Sequence, residues 1–591
     1  MTLPHRRSPT GSPCASSNNK SAKDMKKIFY ILSAALLLTG CNFLDFDESS
    51  SDYSREDMYL TYSNIQKMLT NIYGYMPNKD IADVSSALRD CGSDDAEYAD
   101  PDASVQRFTN GNWSALNTVD DKWSLFNGIR SANEFLESIE TVDLSMYKYD
   151  NKYQRWLEHL AYYPYQARVL RAYYFFELAR RYGDIPMPLT MLTAEEANEI
   201  AKTPFDEVIN FIVTECSESA AHLPDTYVGL LDDEIGRVTR GFALAVKAKA
   251  LLYAASPLHN PSNDRSKWQK AAAAAKELMD LGIYRLDPAE KANNYLSQEV
   301  IFAIMRSESQ SFERYNFPVR FTEGQRTSIA GNYPTQNLVD AFQTAGGYDI
   351  VLEADGWKTA DPAFDITKPY EGRDPRFARA ILANGMSFKG ATIETFVGGR
   401  DYSATRSDLG SPTGYYLRRY IQESTSFTPE NTVTNKHQWI VYRYAETLLT
   451  YAEALNEYLG SPTATEGNLS VSALDALNQV RANAGMPAVS ATSADAFREA
   501  VRREWRVEFA FEDHRFWDVR RWDIGQATQG RIDGVEITRN GGQFAYKRTV
   551  VENRTWSSRQ NLFPIPQAEL FCNPNLNPQN PGWSQTTETT E

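Results

Sequence analysis

The sequence predicts a mostly α-helical fold, in which tetratricopeptide-like helix pairs join a loop-rich, irregular half that contains short strands. Two observations predict the helices. Apolar residues recur at three- and four-residue spacing over about 54–284 and again over about 436–525, which lines one face of a helix. Glycines then close several of these stripes, where a left-handed cap ends a helix. A third observation predicts the irregular half. Between about 285 and 435 the stripes vanish, and Gly, Pro, Asn and aromatic residues take over, as in long functional loops.

Taken in order, the first helix spans residues 54–76, with Ser54 as its N-cap. Further helices are expected over 120–140, 163–182, 205–222, 240–256, 268–281, 439–459, 470–483 and 496–511. In "WIVYRYAETLLTYAEALNEYL", Val441, Tyr444, Leu448, Ala452, Leu455 and Leu459 form one stripe. Gly183, Gly282, Gly460 and Gly485 each end a helix. "AVKAKALLYAAS" and "AEALNEYLG" carry the small residues that let antiparallel helices approach, although no strict repeat of about 34 residues is visible. Residues 526–591 read as an extended C-terminal segment, and "LFPIPQAELFCNPNLNPQNPGW" within it is held open by five prolines.

The amino terminus has a different logic. Lys26 and Lys27 precede an apolar run over 28–39, too short to span a bilayer and shaped like a secretory signal. "LTGC", ending at Cys41, resembles a bacterial lipobox, which makes Cys41 the acylated first residue of the mature chain. On this reading 1–24 is an upstream extension that is not native, Met25 is the true start, 25–40 is the signal peptide and 41–53 a lipidated tether. Asn42 fits outer-membrane sorting, and Asp45, Asp47 and Glu48 resemble an acidic signal for the outer face.

Composition excludes several functions. A formal charge of −16 opposes nucleic-acid binding, which needs a basic footprint. Five scattered cysteines and six scattered histidines form neither a disulfide framework nor a metal motif, and no cofactor is expected. His514 lies near Glu508 and Glu512, but the arginines crowding "VRREWRVEFAFEDHRFWDVRRW" favour bracing ion pairs, read as i,i+4 pairs along the helix. No pattern isolates the two carboxyl groups that a glycosidase holds across a sugar.

Several stretches together resemble the SusD/RagB family of outer-membrane nutrient-uptake lipoproteins. They are "RVLRAYYFFELARRYGDIPMPL", "GRVTRGFALAVKAKALLYAASPLHN", "YPTQNLVDAF", "VYRYAETLLTYAEALNE", "ALNQVRANAGMP", the arginine-rich segment above and the proline-rich tail, in the family's order. The resemblance implies one SusD-like domain over 54–591, with four tetratricopeptide-like helix pairs and no catalysis. It also implies a ligand, commonly an oligosaccharide and sometimes a peptide, and a partner, a SusC-like TonB-dependent transporter that the protein covers as a lid.

A sugar ring offers an apolar C–H face and a rim of hydroxyls, so its site needs a flat ring beside polar groups. Two loops offer that mixture. Residues 89–113 carry Asp94, Asp95, Tyr98, Asn112 and Trp113. Their acidic run lacks the spacing of a calcium loop. Residues 305–321 carry Arg306, Tyr315, Phe317 and Arg320, whose cations would suit an acidic sugar or a peptide carboxylate. Trp357 is a third candidate. The resemblance implies these regions, not the individual residues. A surface glycosidase and a ligand-free helical scaffold are the alternatives.

Overall fold

The computed structural model describes residues 55–77, 84–230, 234–288, 296–405 and 409–583. The upstream extension, the signal peptide, Cys41 and the tether lie outside the described residues, as does Ser54. Contacts divide the chain into Met1–Tyr59, whose described part is one helical turn at Arg55–Met58, and Leu60–Glu591.

Nine helices of ten or more residues are found among the described residues. They are α1 (Tyr62–Tyr73), α2 (Leu125–Ile139), α3 (Tyr163–Tyr182), α4 (Phe205–Ala220), α5 (Arg240–Ala255), α6 (Arg265–Asp280), α7 (Tyr444–Leu459), α8 (Ala473–Asn483) and α9 (Ala494–Glu508). From α1 to α8 each helix packs on the next, and α9 packs on α7, so the scaffold is a stack of neighbours in chain order. Thr61, Thr239, Asp264, Ser472 and Ser493 cap α1, α5, α6, α8 and α9, their side chains accepting a first-turn N–H. Gly460 ends α7 in the left-handed region, at φ 67°.

The helices differ in how much of their circumference is covered. Seventeen of the twenty residues of α3 are buried, so it has apolar neighbours all round. Its charges are paired in place: Glu177 Oε2 accepts from Arg180 (2.7 Å) and Arg181 (2.8 Å). Where α6 meets α5 and α7, the contact is built from Ala271, Ala272, Ala274 and Ala275 against Ala248, Leu252, Leu448 and Ala452. Small side chains shorten the distance between helix axes, as the sequence texture implied. No helix among the described residues is long and apolar enough to cross a membrane.

Strands of three or more residues are β1 (Ala96–Tyr98), β2 (Val300–Ser309), β3 (Asn332–Pro334), β4 (Ile350–Glu353), β5 (Gly356–Thr359), β6 (Asn435–Arg443), β7 (Arg531–Asn540) and β8 (Gln543–Asn553). All pair in twos, antiparallel: β1 with β3, β2 with β6, β4 with β5 and β7 with β8. The β2–β6 ladder explains how the irregular half is inserted. Its two strands leave and re-enter the helical stack side by side, so α7 still lands on α6. It also corrects a helix boundary. Trp439 to Arg443 is strand, because pairing with β2 outweighs the helical spacing, and α7 begins at Tyr444.

The ion pairs of the arginine-rich segment hold the halves together, and they run between segments more than along one helix. Arg376, from the irregular half, meets Glu504 (2.5 Å) and Glu508 (2.8 Å) of α9, while Arg481 of α8 meets Glu504 (2.9 Å). Arg443 meets Glu299 (2.6 Å), Glu508 (2.6 Å) and Glu512 (2.9 Å). Burial pushes the Glu508 carboxyl up, but Arg443 and Arg376 outweigh it and hold it at about 2. Arg502 with Glu499, at 3.5 Å, is an i,i+3 pair along α9. His514 Nε2 faces Glu446 at 3.4 Å and the ring stacks on Phe509.

The C-terminal segment is more structured than its prolines imply. Residues 531–553 form the β7–β8 hairpin around Gly541 and Gly542. The rest does run extended over other elements. Phe563 N–H donates to Arg181 O (2.6 Å), and Asn580 Nδ2 donates to Tyr182 O (2.9 Å), tying the tail to the end of α3.

Candidate functional site

The two candidate loops converge on Asn332. Its side-chain oxygen accepts from Leu88 N–H (2.7 Å) and from Cys91 Sγ (3.2 Å), both in the first loop region. Its backbone N–H (2.9 Å) and its Nδ2 (3.0 Å) donate to Asn316 Oδ1, in the second. β3 meanwhile pairs Asn332 with Tyr98. One buried amide thus joins three segments far apart in sequence. Beside it, Ala99 N–H donates to Gly331 O (3.1 Å). A Cβ on Gly331 would lie 2.5 Å from Tyr315 O, and its φ is +113°, so glycine is required for this approach.

Around this hub the predicted residues divide by accessibility. Tyr315, in the short helix Ser311–Asn316, is half-buried, and its hydroxyl has no hydrogen-bond partner among the described residues. Phe317, two residues on, is fully buried at the centre of a cluster with Ala99, Tyr333, Phe388 and Phe427, so it packs the hub and faces no solvent. Arg320 is part-exposed. Its Nε meets Asp401 (2.8 Å), its Nη2 donates to Thr392 O (2.5 Å), and its guanidinium lies 4.4 Å from the Phe321 ring. Tyr98 is buried, and burial pushes its hydroxyl well above the usual range.

The two aspartates are spent on arginines. Asp94 accepts from Arg515 Nε (2.8 Å) and Nη2 (2.9 Å) and from Gln529 (2.8 Å), and it meets Arg506 at 2.9 Å. Burial raises its carboxyl, yet Arg506 and Arg515 outweigh this and hold it below the usual range. Asp95, 2.6 Å from Arg506, is raised by burial beside Asp94. With every strong donor internal, neither carboxylate faces a ligand.

The remaining candidates lie in other clusters. Trp113 is 3% exposed, packed edge-on against Phe108, Phe563 and Trp583 at 4.7–5.0 Å, so neither ring face is left for a sugar. Asn112 beside it is exposed, and its carbonyl accepts from Asn117 Nδ2 (2.9 Å). Trp357, on β5, is buried against Tyr370 and Tyr546 with Arg373 over it at 5.6 Å. Arg306 is half-buried on β2.

Sequence reasoning missed the loop that borders Tyr315. Between Phe321 and Ile329, buried Arg326 donates to Phe317 O (3.2 Å) and to the Tyr333 hydroxyl (2.5 Å) and Ala330 O. That anchor leaves Glu323, Gln325, Thr327 and Ser328 exposed. The signal was available in "TEGQRTSI", a polar run with one arginine that begins at Thr322, just past the segment carrying Tyr315 and Phe317. Among the described residues no group of three or more His, Cys, Asp or Glu could hold a metal ion.

A helical-repeat scaffold that displays an ordered, loop-built face defines a class of binding protein. The chain belongs to the SusD family. The SusD family model matches residues 298–583, and a model of starch-binding proteins that associate with the outer membrane matches 42–252. A prokaryotic membrane lipoprotein lipid-attachment site matches 25–42, around Cys41, which supports a lipid-anchored outer-membrane location. SusD-like protein P2 of Formosa agariphila is 26% identical over 71% of this chain and 73% of its own. A crystal structure of a SusD-like protein from Bacteroides fragilis has a TM-score of 0.73 at 27% identity, covering 91% of this chain and 99% of that one. A SusD-like carbohydrate-binding protein from the same species gives 0.69 at 25%, covering 88% and 100%.

Proposed function

We propose that the protein is anchored at the outer face of the outer membrane, captures an oligosaccharide and delivers it to a SusC-like TonB-dependent transporter. In this reading residues 25–40 are the removed signal, Cys41 is the acylated first residue and 41–53 is the tether. The observation that carries the binding step is Tyr315, a half-open ring with a free hydroxyl, fixed on a rigid hub and bordered by a polar loop. Such a ring stacks on the C–H face of a sugar while amides and hydroxyls meet its rim. Gln325, Thr327 and Ser328 supply that rim, with Arg320 and Arg306 as cations from the same candidate segment.

The likeness to starch-binding and carbohydrate-binding family members supports a glycan ahead of a peptide. The pairing of the conspicuous acids supports binding without catalysis. Asp94, Glu504, Glu508 and Glu512 each meet arginines, whereas a glycosidase keeps two carboxyl groups open across its substrate. Calorimetry of the purified protein against neutral and acidic oligosaccharides and peptides tests the reading. Saturable glycan binding that Tyr315→Ala weakens is expected; sugar release, or binding of peptides alone, would overturn it. Co-purification of a barrel partner tests delivery. Cys41→Ala should abolish acylation, and membrane retention of that variant would defeat the anchor.

A further inference from the structure

A second cleft lies in the helical half, away from the Asn332 hub. It has a volume of about 290 Å³, near the lower end of ligand-pocket sizes of roughly 300 Å³ upwards. One wall is the turn between α5 and α6, with Pro257, Pro261 and Asn263. The other is formed by Glu453 and Glu457 of α7, Arg498 and Arg502 of α9, and Trp522.

The charges of this cleft do not cancel evenly. Glu453 is spent on Arg521, at 2.6 and 2.9 Å, and on Trp522 Nε1 at 2.7 Å. Glu457 is spent on both nitrogens of the Arg498 fork, at 2.8 and 2.7 Å. Arg502 has no such partner. It makes one long bond, from Nη1 to Glu499 Oε1 at 3.5 Å, and Glu499 is itself largely exposed. The Nε and Nη2 edge of Arg502, the fork that fits a carboxylate or sulfate side-on, has no acceptor among the described residues. Yet the side chain is only 21% exposed, and burial lowers its basicity.

The surroundings hold that fork in place. The guanidinium of Arg502 lies 5.2 Å from the Trp522 ring centre, and Arg521 lies 4.5 Å from the same ring. Stacking restricts a long side chain that would otherwise sweep solvent. Across the cleft, Asn263 Oδ1 accepts from Trp268 Nε1 (3.0 Å), which orients the amide and leaves its Nδ2 without an acceptor among the described residues. A fixed cationic fork, an oriented amide donor and proline C–H surface make a site rich in donors and poor in acceptors. A neutral sugar needs both; an acidic sugar supplies the missing acceptors itself.

We propose that this cleft is a second saccharide site, selective for a sugar bearing a carboxylate or sulfate, with Arg502 as its anion-binding residue and Asn263 as its polar partner. The saccharide part rests on the glycan reading above; the anion part rests on the unpaired fork. Titration of the full-length protein with trigalacturonate, its methyl ester and sodium sulfate, followed by tryptophan fluorescence and calorimetry, tests it.

Trigalacturonate should bind, the ester should bind at least about tenfold more weakly, and Arg502→Ala should cost a similar factor, as expected for a charge-assisted bond. Arg502→Lys should restore little, because an ammonium lacks the fork. Asn263→Asp retains the acceptor for Trp268 and places a carboxylate in the cleft, so it should weaken binding without touching the Trp522 stack. In the Tyr315→Ala background, where the first site is weakened, the Arg502-dependent part of trigalacturonate binding should remain. Equal affinity in wild type and both Arg502→Ala and Asn263→Asp, or no trigalacturonate binding while neutral glycans still bind, overturns the second site alone. Sulfate binding as tightly as trigalacturonate reduces the cleft to an oxyanion site and overturns its saccharide part.

Discussion

The helical stack and the inserted half are stabilised in different ways. In the stack, neighbours in space are neighbours in sequence, and alanine and leucine faces do the packing. In the insertion, strands pair across long separations, and single polar residues such as Asn332 and Arg376 join several segments. A stack loses stability gradually as contacts are trimmed, whereas a hub of buried polar bonds loses it abruptly when one member is removed.

The sharpest way to break that contrast is Arg376→Ala, which leaves Asp374, Glu504 and Glu508 short of their counter-charge. Removing one member of a buried network typically costs about 3–5 kcal/mol, to be measured by denaturant unfolding. A loss below about 1 kcal/mol would show that the network is well hydrated. Trp113→Ala probes the apolar counterpart, where deleting a buried aromatic costs roughly 3–5 kcal/mol. Glycan affinity measured on the remaining folded protein should not change, since the ring packs against Phe108, Phe563 and Trp583.

Asn332→Ala should cost about 2–3 kcal/mol for the unpaired donors and acceptors it leaves. Hydrogen exchange should rise around residues 88–99 and 311–317 and stay unchanged in α5–α7. Uniform deprotection would mean that the two halves unfold as one unit. Tyr315→Ala is expected to weaken glycan binding about tenfold, or about 1.4 kcal/mol, with a melting point close to wild type.

The smallest effect concerns pH. His259 stacks on Phe205 at 3.6 Å, and burial, then Lys267, push it down to about 4 from 6.5, against the pull of Asp206. Below about pH 6.5 the unfolded chain takes up a proton that the folded one refuses until about pH 4. The unfolded state therefore binds more protons, and stability falls as pH falls across that window. His259→Phe should flatten this part of a melting-temperature profile. The steeper loss below about pH 4, where Glu508 and its neighbours protonate, should remain.

Legibility followed the same division. The periodicity placed α3 at its observed bounds and located most other long helices within about five residues, because a buried helix face repeats locally. It started α1 too early: that helix begins at Tyr62, eight residues after the expected start at Ser54, with only a separate helical turn at Arg55–Met58 before it. It extended α7 too far back, since the stripe cannot register that residues 439–443 pair with a strand more than a hundred residues earlier. The candidate loops were identified as regions, and the structure does bring two of them together. Aromatic and acidic residues in a loop look alike whether they face a ligand or the interior, so Trp113, Phe317 and Trp357 could not be told from Tyr315. The polar run after Phe321 was readable, but its importance depends on Arg326 folding back onto Phe317 and Tyr333.

By itself, the sequence determined the helical class, the family and the acylation signal, because each is written in contiguous residues whose spacing or order carries the information. Tertiary structure alone decided which aspartates were consumed by arginines, which rings were sealed and which arginine kept an open fork. Those outcomes depend on partners such as Asp94 with Arg515, or Glu457 with Arg498, that lie tens to hundreds of positions apart. A side chain's chemistry is local, but whether it remains available is settled by everything that packs around it.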